Sequence, residues 1–340
     1  MELSELPTPA LVAERSALDH NIAAMAARRP GAELRPHVKA FKCTKLAARL
    51  ADAGHRTFCA ATIREIEGLA AAGLGEDVLL ANEVLDCTRL GALIRAGTAD
   101  VTVAVDSQAT IDAAARGGVG RVLIDVNIGL PRCGCDPADA GRLAERARAA
   151  GLHVAGVMGY EGHLVGRPER AERRDGLGES LPLLRRAWDE VGGDVCSGGG
   201  TGTYDLNDLV TEVQAGSYVL MDTAYAQLGL PFREGLGVLA TVVSVGRSRG
   251  RTYGVADAGL KCFGMDHGNP GLDGAKVWFC SDEHTTFAAD PETGGVDPLV
   301  GDRVRLRPAH IDPTIACHEV LWLVDGDDVV DRWEIDLRGW

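Results

Sequence analysis

The sequence predicts an α/β domain of alternating strands and helices over residues 1–237, followed by a smaller antiparallel β domain over 238–340. Three observations carry this. Short apolar runs alternate with Ala-, Arg- and Glu-rich helical runs up to residue 237; beyond it brief β-rich runs are broken by Gly, Asp and Pro; and no Ser/Pro-rich linker separates the two textures. The chain has no internal repeat and no low-complexity tract.

In chain order, residues 78–82, 102–106, 122–126 and 154–158 are short and apolar and end at or near polar or small residues, as parallel strands buried on both faces do. Helices fill the gaps, among them 137–150 and 179–191. That rhythm fits a (β/α)8 barrel, whose chemistry sits at the C-terminal ends of its strands, and it fits a doubly wound sheet equally well. Downstream, 238–243, 251–255, 276–280 and 303–306 read as strands with almost no helical period.

Composition narrows the function classes. With 340 residues, 46% of them hydrophobic and 25% charged, the chain can bury a substantial core, and its net charge of -14 argues against nucleic acid and anionic membrane as partners. The first residues form neither a basic nor an apolar leader, and no stretch stays apolar for the roughly 20 residues of a membrane helix, so the expected location is cytoplasmic. Nine scattered cysteines read as reduced thiols, and the pair Cys133 and Cys135 lacks the companion ligands of a structural zinc site.

Three motifs carry chemistry. Arg35-Pro36-His37-Val38-Lys39 puts a lysine just past a stiff apolar segment that reads as a buried strand. An ammonium buried there without a partner would lose its proton, the condition an amine needs to form a Schiff base; a surface lysine at a strand end is the plainer alternative. Ser197-Gly198-Gly199-Gly200-Thr201-Gly202 follows a strand at 194–196, and such a run either closes backbone N–H groups and hydroxyls around a cofactor phosphate or forms a flexible turn. Near the C-terminus, His310-Ile311-Asp312 places a His and an Asp on one side of an extended segment, where both can reach one cation.

Together with Thr8-Pro9-Ala10-Leu11-Val12 upstream, the Arg-Pro-His-x-Lys run resembles the alanine racemase-like (fold type III) pyridoxal-phosphate enzymes, specifically the D-threonine aldolase and D-serine dehydratase branch, over nearly the whole chain. The resemblance implies a barrel whose Lys39 holds pyridoxal 5'-phosphate. It places His37, Arg132 (in Gly129-Leu130-Pro131-Arg132-Cys133-Gly134), Tyr160, Ser197, Gly199, Gly200, Thr201 and Tyr218 around that cofactor, with 212–222 as the last barrel strand. His163 becomes a candidate acid or base, although this sequence lacks the glutamine-histidine pair expected a few residues later. Ser281-Asp282-Glu283-His284 resembles a segment near the active site. His310 and Asp312 become metal ligands, and because the dehydratase relatives carry His-x-Cys, Asp312 favours Mn²⁺ or Mg²⁺, with Zn²⁺ as an alternative, and favours the aldolase.

The implied reaction is cleavage of a D-β-hydroxy-α-amino acid to glycine and an aldehyde, in a homodimer whose sites are completed by the partner's C-terminal domain. Dehydration and racemisation are alternative outcomes on the same scaffold. A non-catalytic pyridoxal-phosphate carrier is the reading from a different class; it gives the β domain and the His310/Asp312 pair no use.

Overall fold

The computed structural model describes residues 1–340, which divide into two compact units. One comprises Met1–Ile22 and Ser217–Asp336, the other Ala23–Gly216 and Leu337–Trp340. The expected boundary at 237/238 therefore moves. The first strand, β1 (Ala10–Glu14), belongs to the β unit, because its Leu11 pairs in parallel with Leu321 while Val12 pairs antiparallel with Gly237. After it comes α1 (Arg15–Arg28).

The barrel unit follows as β2 (Thr57–Ala60), β3 (Asp77–Leu80), β4 (Val101–Val105), β5 (Arg121–Asp125), β6 (His153–Gly159), β7 (Val195–Gly198) and β8 (Glu212–Val213). These seven strands are parallel and neighbour one another in chain order. Before and between them lie α2 (Thr44–Asp52), α3 (Ile63–Ala71), α4 (Thr88–Arg95), α5 (Gln108–Gly117), α6 (Ala140–Ala149) and α7 (Arg170–Val191). The barrel closes through single bridges, Leu34 to Val213 and His37 to Cys59, so the segment read as a full strand is a short extended link that turns into the 3-10 helix Val38–Ala40. Pro36 explains the shortening: it has no N–H to give a ladder. The expected last strand is likewise reduced to β8, and Ser217–Val219 is a 3-10 turn.

Inside the barrel, Cys59, Leu79, Ala104, Leu123, Ala155 and Met158 form one cluster, contributed by β2 to β6. Small and large side chains alternate around the ring, as a tapered interior requires. Burying each leucine is worth about 1.5–3 kcal/mol. Helix α7 starts earlier than the expected residue 179: its first turns are too charged to show a stripe, but Arg173 is fully buried and donates to the carbonyls of Arg167 (2.5 Å) and Pro168 (2.8 Å). Leu177, Ser180, Leu184, Ala187 and Val191 then form its inner face.

The β unit adds α8 (Thr223–Ala226), β9 (Leu236–Ser248), β10 (Arg251–Ala256), β11 (Ala275–Cys280), β12 (Thr285–Ala289), β13 (Arg303–Leu306), α9 (Ile311–Ala316), β14 (Val320–Asp325) and β15 (Asp328–Glu334). Its sheet runs β11-β12-β10-β9-β1-β14-β15, with β13 also on β9. All pairings are antiparallel except β1 with β14. Leu6, Ala10, Val12, Leu239 and Val324 make its core. All nine cysteines are free, and no helix is long and apolar enough to cross a membrane.

Candidate functional sites in the two units

The Arg-Pro-His-x-Lys run divides its work between the two ends of the barrel. Arg35 is a structural clamp at the N-terminal ends of the strands. Its Nε donates to Glu212 at 2.8 Å and its two terminal nitrogens to the Asp77 carboxylate at 3.1 Å each, and these acids open β8 and β3. Burial opposes the guanidinium charge, but the two carboxylates outweigh it and hold the group above the usual arginine range.

At the other end of the segment, the Lys39 N–H donates to His37 Nδ1 at 3.4 Å, which leaves that ring nitrogen unprotonated. Burial, reinforced by the positive charges of Lys39, Lys42 and Arg132, pushes His37 well below the ordinary histidine pKa and keeps the ring neutral. Lys42 itself pairs at 2.5 Å with Glu65, a fully buried carboxylate that also accepts the N–H groups of Ala61 and Thr62. Arg132 lies 5.4 Å above the Tyr160 ring, and a Cβ added to Gly162 would come within 2.5 Å of that ring. On Gly200 an added Cβ would come within 3.4 Å of it, so the structure gathers Arg132 and the glycine loop around the Tyr160 ring. Cations converging on a neutral imidazole, beside an aromatic ring, suit in kind an anionic, planar cofactor such as pyridoxal phosphate.

The glycine loop corrects one expectation. Gly199 and Gly200 do not aim their N–H groups at an open anion site: Gly199 donates to Glu161 at 3.2 Å and Gly200 to Thr203 at 3.1 Å. Glu161, fully buried, also accepts from Thr203 Oγ1 (2.8 Å) and Asn207 Nδ2 (3.0 Å). A buried carboxylate thus shapes the turn from within, and the two glycines serve as its backbone. Thr201 is buried in the same loop. Ser197 lies inside β7 and accepts from Gln214 Nε2 at 2.8 Å. The ring of His163 packs on the Gly129 backbone, with Nε2 3.5 Å from Ser180 on α7 and Nδ1 buried without a hydrogen-bond partner; these are the contacts of a packed side chain.

A second feature of this end of the barrel has no signal in the motifs. Asp125, ending β5, is held well above the ordinary carboxyl range by burial, then by the charge of Glu83 and a hydrogen bond to it, and by Asp106, with Arg132 opposing. A carboxyl raised this way contributes its full stability below the unfolded value, about 3.9, and loses it as pH rises through the folded value. Asp125→Asn should therefore raise the melting temperature at pH 8 more than at pH 5. An equal shift at both pH values would show that Asp125 titrates normally. Burial also pushes the neighbouring thiols up, Cys133 to about 11 and Cys135 to about 12, so both are protonated thiols at neutral pH.

In the β unit His310 and Asp312 do lie together, but not on an extended segment. His310 caps α9 and Asp312 lies in its first turn, with His310 Nε2 3.7 Å from Asp312 Oδ2. Two features build this end of the helix. Asp222, itself buried, accepts the Ile311 N–H at 3.0 Å, and Pro313 needs no N–H partner in a first turn. Burial holds Asp222 above the ordinary carboxyl range. An imidazole nitrogen and a carboxylate oxygen at this separation can both reach one cation at about 2.0–2.2 Å, so the donor set fits a divalent metal. Missed by motif reading was Asp266, whose Oδ2 takes the other ring nitrogen of His310 at 2.7 Å. Tyr218, in the same unit, is fully buried 5.3 Å from the Phe232 ring, and burial raises its phenol above the usual tyrosine range. The Ser281–His284 segment is the turn between β11 and β12, where Lys261 pairs with Glu283.

Side chains of this chemistry, gathered on the loops that leave a parallel barrel's strands at their C-terminal ends, define a barrel enzyme. The alanine racemase N-terminal domain family matches residues 14–224, and the putative serine dehydratase domain family matches 235–324. A D-threonine aldolase of Arthrobacter sp. is 35% identical over 99% of this chain and 94% of its own, and a 3-hydroxy-D-aspartate aldolase of Paracoccus denitrificans is 31% identical over 100% and 94%. A D-threo-3-hydroxyaspartate dehydratase of Delftia sp. is 30% identical over 99% of both chains. Among solved structures, D-threonine aldolase from Filomicrobium marinum superposes with a TM-score of 0.89 at 30% identity, covering 100% of this chain and 98% of that one. The chain belongs to the alanine racemase-like (fold type III) enzymes, in the D-threonine aldolase and D-serine dehydratase branch, and is a lyase of the pyridoxal-phosphate-dependent class.

Proposed function

We propose that this chain cleaves D-β-hydroxy-α-amino acids to glycine and an aldehyde, using pyridoxal phosphate and a divalent cation, with Mn²⁺ or Mg²⁺ favoured over Zn²⁺. The observation that carries the aldolase reading is Asp312 beside His310. Structures of the related dehydratase include a histidine-to-alanine mutant and, two positions further on, a cysteine-to-alanine mutant in the metal-free form. Here the same spacing carries an imidazole and a carboxylate, a harder pair suited to Mn²⁺ or Mg²⁺.

Each residue has a stated task in this reading. Lys39 holds the cofactor through its amine, on a turn fixed by its own N–H to His37. The neutral His37 accepts there without adding charge, and Arg132 and Tyr160 would contact the cofactor. When bound, pyridoxal phosphate supplies an electron sink for the bond broken at the α-carbon. A divalent cation on His310 and Asp312 supplies Lewis acidity that lowers the pKa of a hydroxyl. Arg307, just before the pair, is engaged by Glu234 at 2.9 Å and Asp273 at 2.8 Å, so it offers no free cation to an acidic side group. That favours an uncharged, D-threonine-like substrate.

Product analysis with D-threonine, with and without chelator, tests the proposal. Glycine and acetaldehyde, lost on chelation and restored by Mn²⁺, are expected; 2-oxobutanoate would make the enzyme a dehydratase instead. We also propose a homodimer, for which light scattering should give twice the 35.8 kDa chain mass. An active monomer would refute that.

A further inference from the structure

His310 is held from both edges of its ring. Nε2 faces Asp312, and Nδ1 meets Asp266 Oδ2 at 2.7 Å. An ionised carboxylate only accepts, so the Nδ1 in that contact carries the proton, and in the neutral ring Nε2 is then the nitrogen with the lone pair. His267 stacks on the face of that ring, with centroids 4.0 Å apart and planes 10° off parallel.

The loop that brings Asp266 here is anchored, not merely nearby. Gly264 bridges His310 through the backbone, donates its N–H to Thr314 Oγ1 at 3.0 Å, and lies so close to Pro313 that an added Cβ would come within 2.0 Å of it. Thr314 Oγ1 in turn donates to the His310 carbonyl at 2.6 Å. Phe263 is buried beside the anchor. Asp266 itself is 55% exposed in its side chain, so nothing about the core requires an acid at this place.

We propose that Asp266 is a positioning residue for the metal pair: it fixes the His310 tautomer and ring angle that turn Nε2, beside Asp312, into the metal-facing donor. The proposal rests on His310 and Asp312 being the metal ligands. Outer carboxylates of this kind on a ligating histidine change metal affinity by about 10–100-fold. A competing arrangement exists in the same residues. Ligand atoms of Asp266, His267 and His310 all lie within 4.8 Å of one another, so they could chelate an ion themselves, and the two arrangements respond differently to substitution.

The experiment is a Mn²⁺ titration of the cofactor-loaded enzyme, read by the electron paramagnetic resonance of free Mn²⁺. It is paired with long-range ¹⁵N–¹H correlation spectra of the metal-free protein to assign the His310 tautomer. Asp266→Ala should weaken Mn²⁺ binding by about 10–100-fold. It should also shift His310 away from the Nδ1–H form expected of the wild type. Asp266→Asn, whose amide oxygen still accepts, should recover part of both effects, which a merely structural role would not predict. His267→Ala should bind Mn²⁺ nearly as the wild type does. Wild-type affinity in Asp266→Ala, or a wild-type His310 protonated at Nε2, would overturn the proposal. His267→Ala losing as much as Asp266→Ala, with Asp312→Ala unaffected, would overturn it in favour of the chelating trio. Undiminished Mn²⁺ binding in both His310→Ala and Asp312→Ala would instead remove the metal pair on which it rests.

Discussion

Lys39→Ala is expected to abolish the borohydride-trapped cofactor adduct and to lower kcat by more than about 10²-fold, the lower end of the range for losing a positioned proton-transfer group. The wild-type protein should absorb near about 410–430 nm, as a lysine-bound pyridoxal does, and the variant should not. Geometry separates Lys39 from its neighbours. The Lys42 ammonium is bound by the buried Glu65, and leaving that carboxylate unpaired would be costly; Lys45 is exposed on α2. Lys39 alone of the three lies in the turn that follows His37. Peptide mapping of the reduced adduct decides the matter, and an adduct on Lys42 or Lys45 would defeat the assignment.

The other large effect is on stability. Arg35→Ala should destabilise the barrel unit by about 3–5 kcal/mol, because it leaves Glu212 buried and unpaired. Arg35→Lys should recover little, since an ammonium cannot serve Glu212 and both oxygens of Asp77 with the guanidinium's planar fork. Urea unfolding followed by far-UV circular dichroism measures the loss. A shift below about 1 kcal/mol, the value of an exposed pair, would show that the clamp is dispensable. Because Arg35 works at the end of the strands away from Lys39, the folded fraction should keep its cofactor absorbance.

What a sequence displays of its fold depends on the range of the contacts involved. Strand interiors such as 102–105 and 122–125 were legible because burial on both faces leaves an unbroken apolar run. The membership of β1 was not, since Leu11 and Val12 read like any buried strand and their partners lie near Leu321 and Gly237. His310 and Asp312 were legible as residue types, while their helical setting depends on Asp222, far away in sequence. Glu161 and Asp266 carry no signal for the same reason: one acid between a tyrosine and a glycine and one in a Gly- and Pro-rich turn form no local pattern, and only the fold brings each to its partners.

The placement of β1 also bears on how the chain is made. Barrel strands β2 to β8 pair in the order in which they are synthesised, so a ribosome adding about 5–20 residues per second can deliver a closing barrel while the rest is still unmade. β1 emerges before all of them, yet it waits with both edges open for β9 and then for β14. Completion of the second sheet therefore waits for the synthesis of β14 and β15. A chain cut short before Val320 would carry all seven barrel strands and a first strand paired with β9 on one edge only, an exposed edge that the full sheet covers with β14.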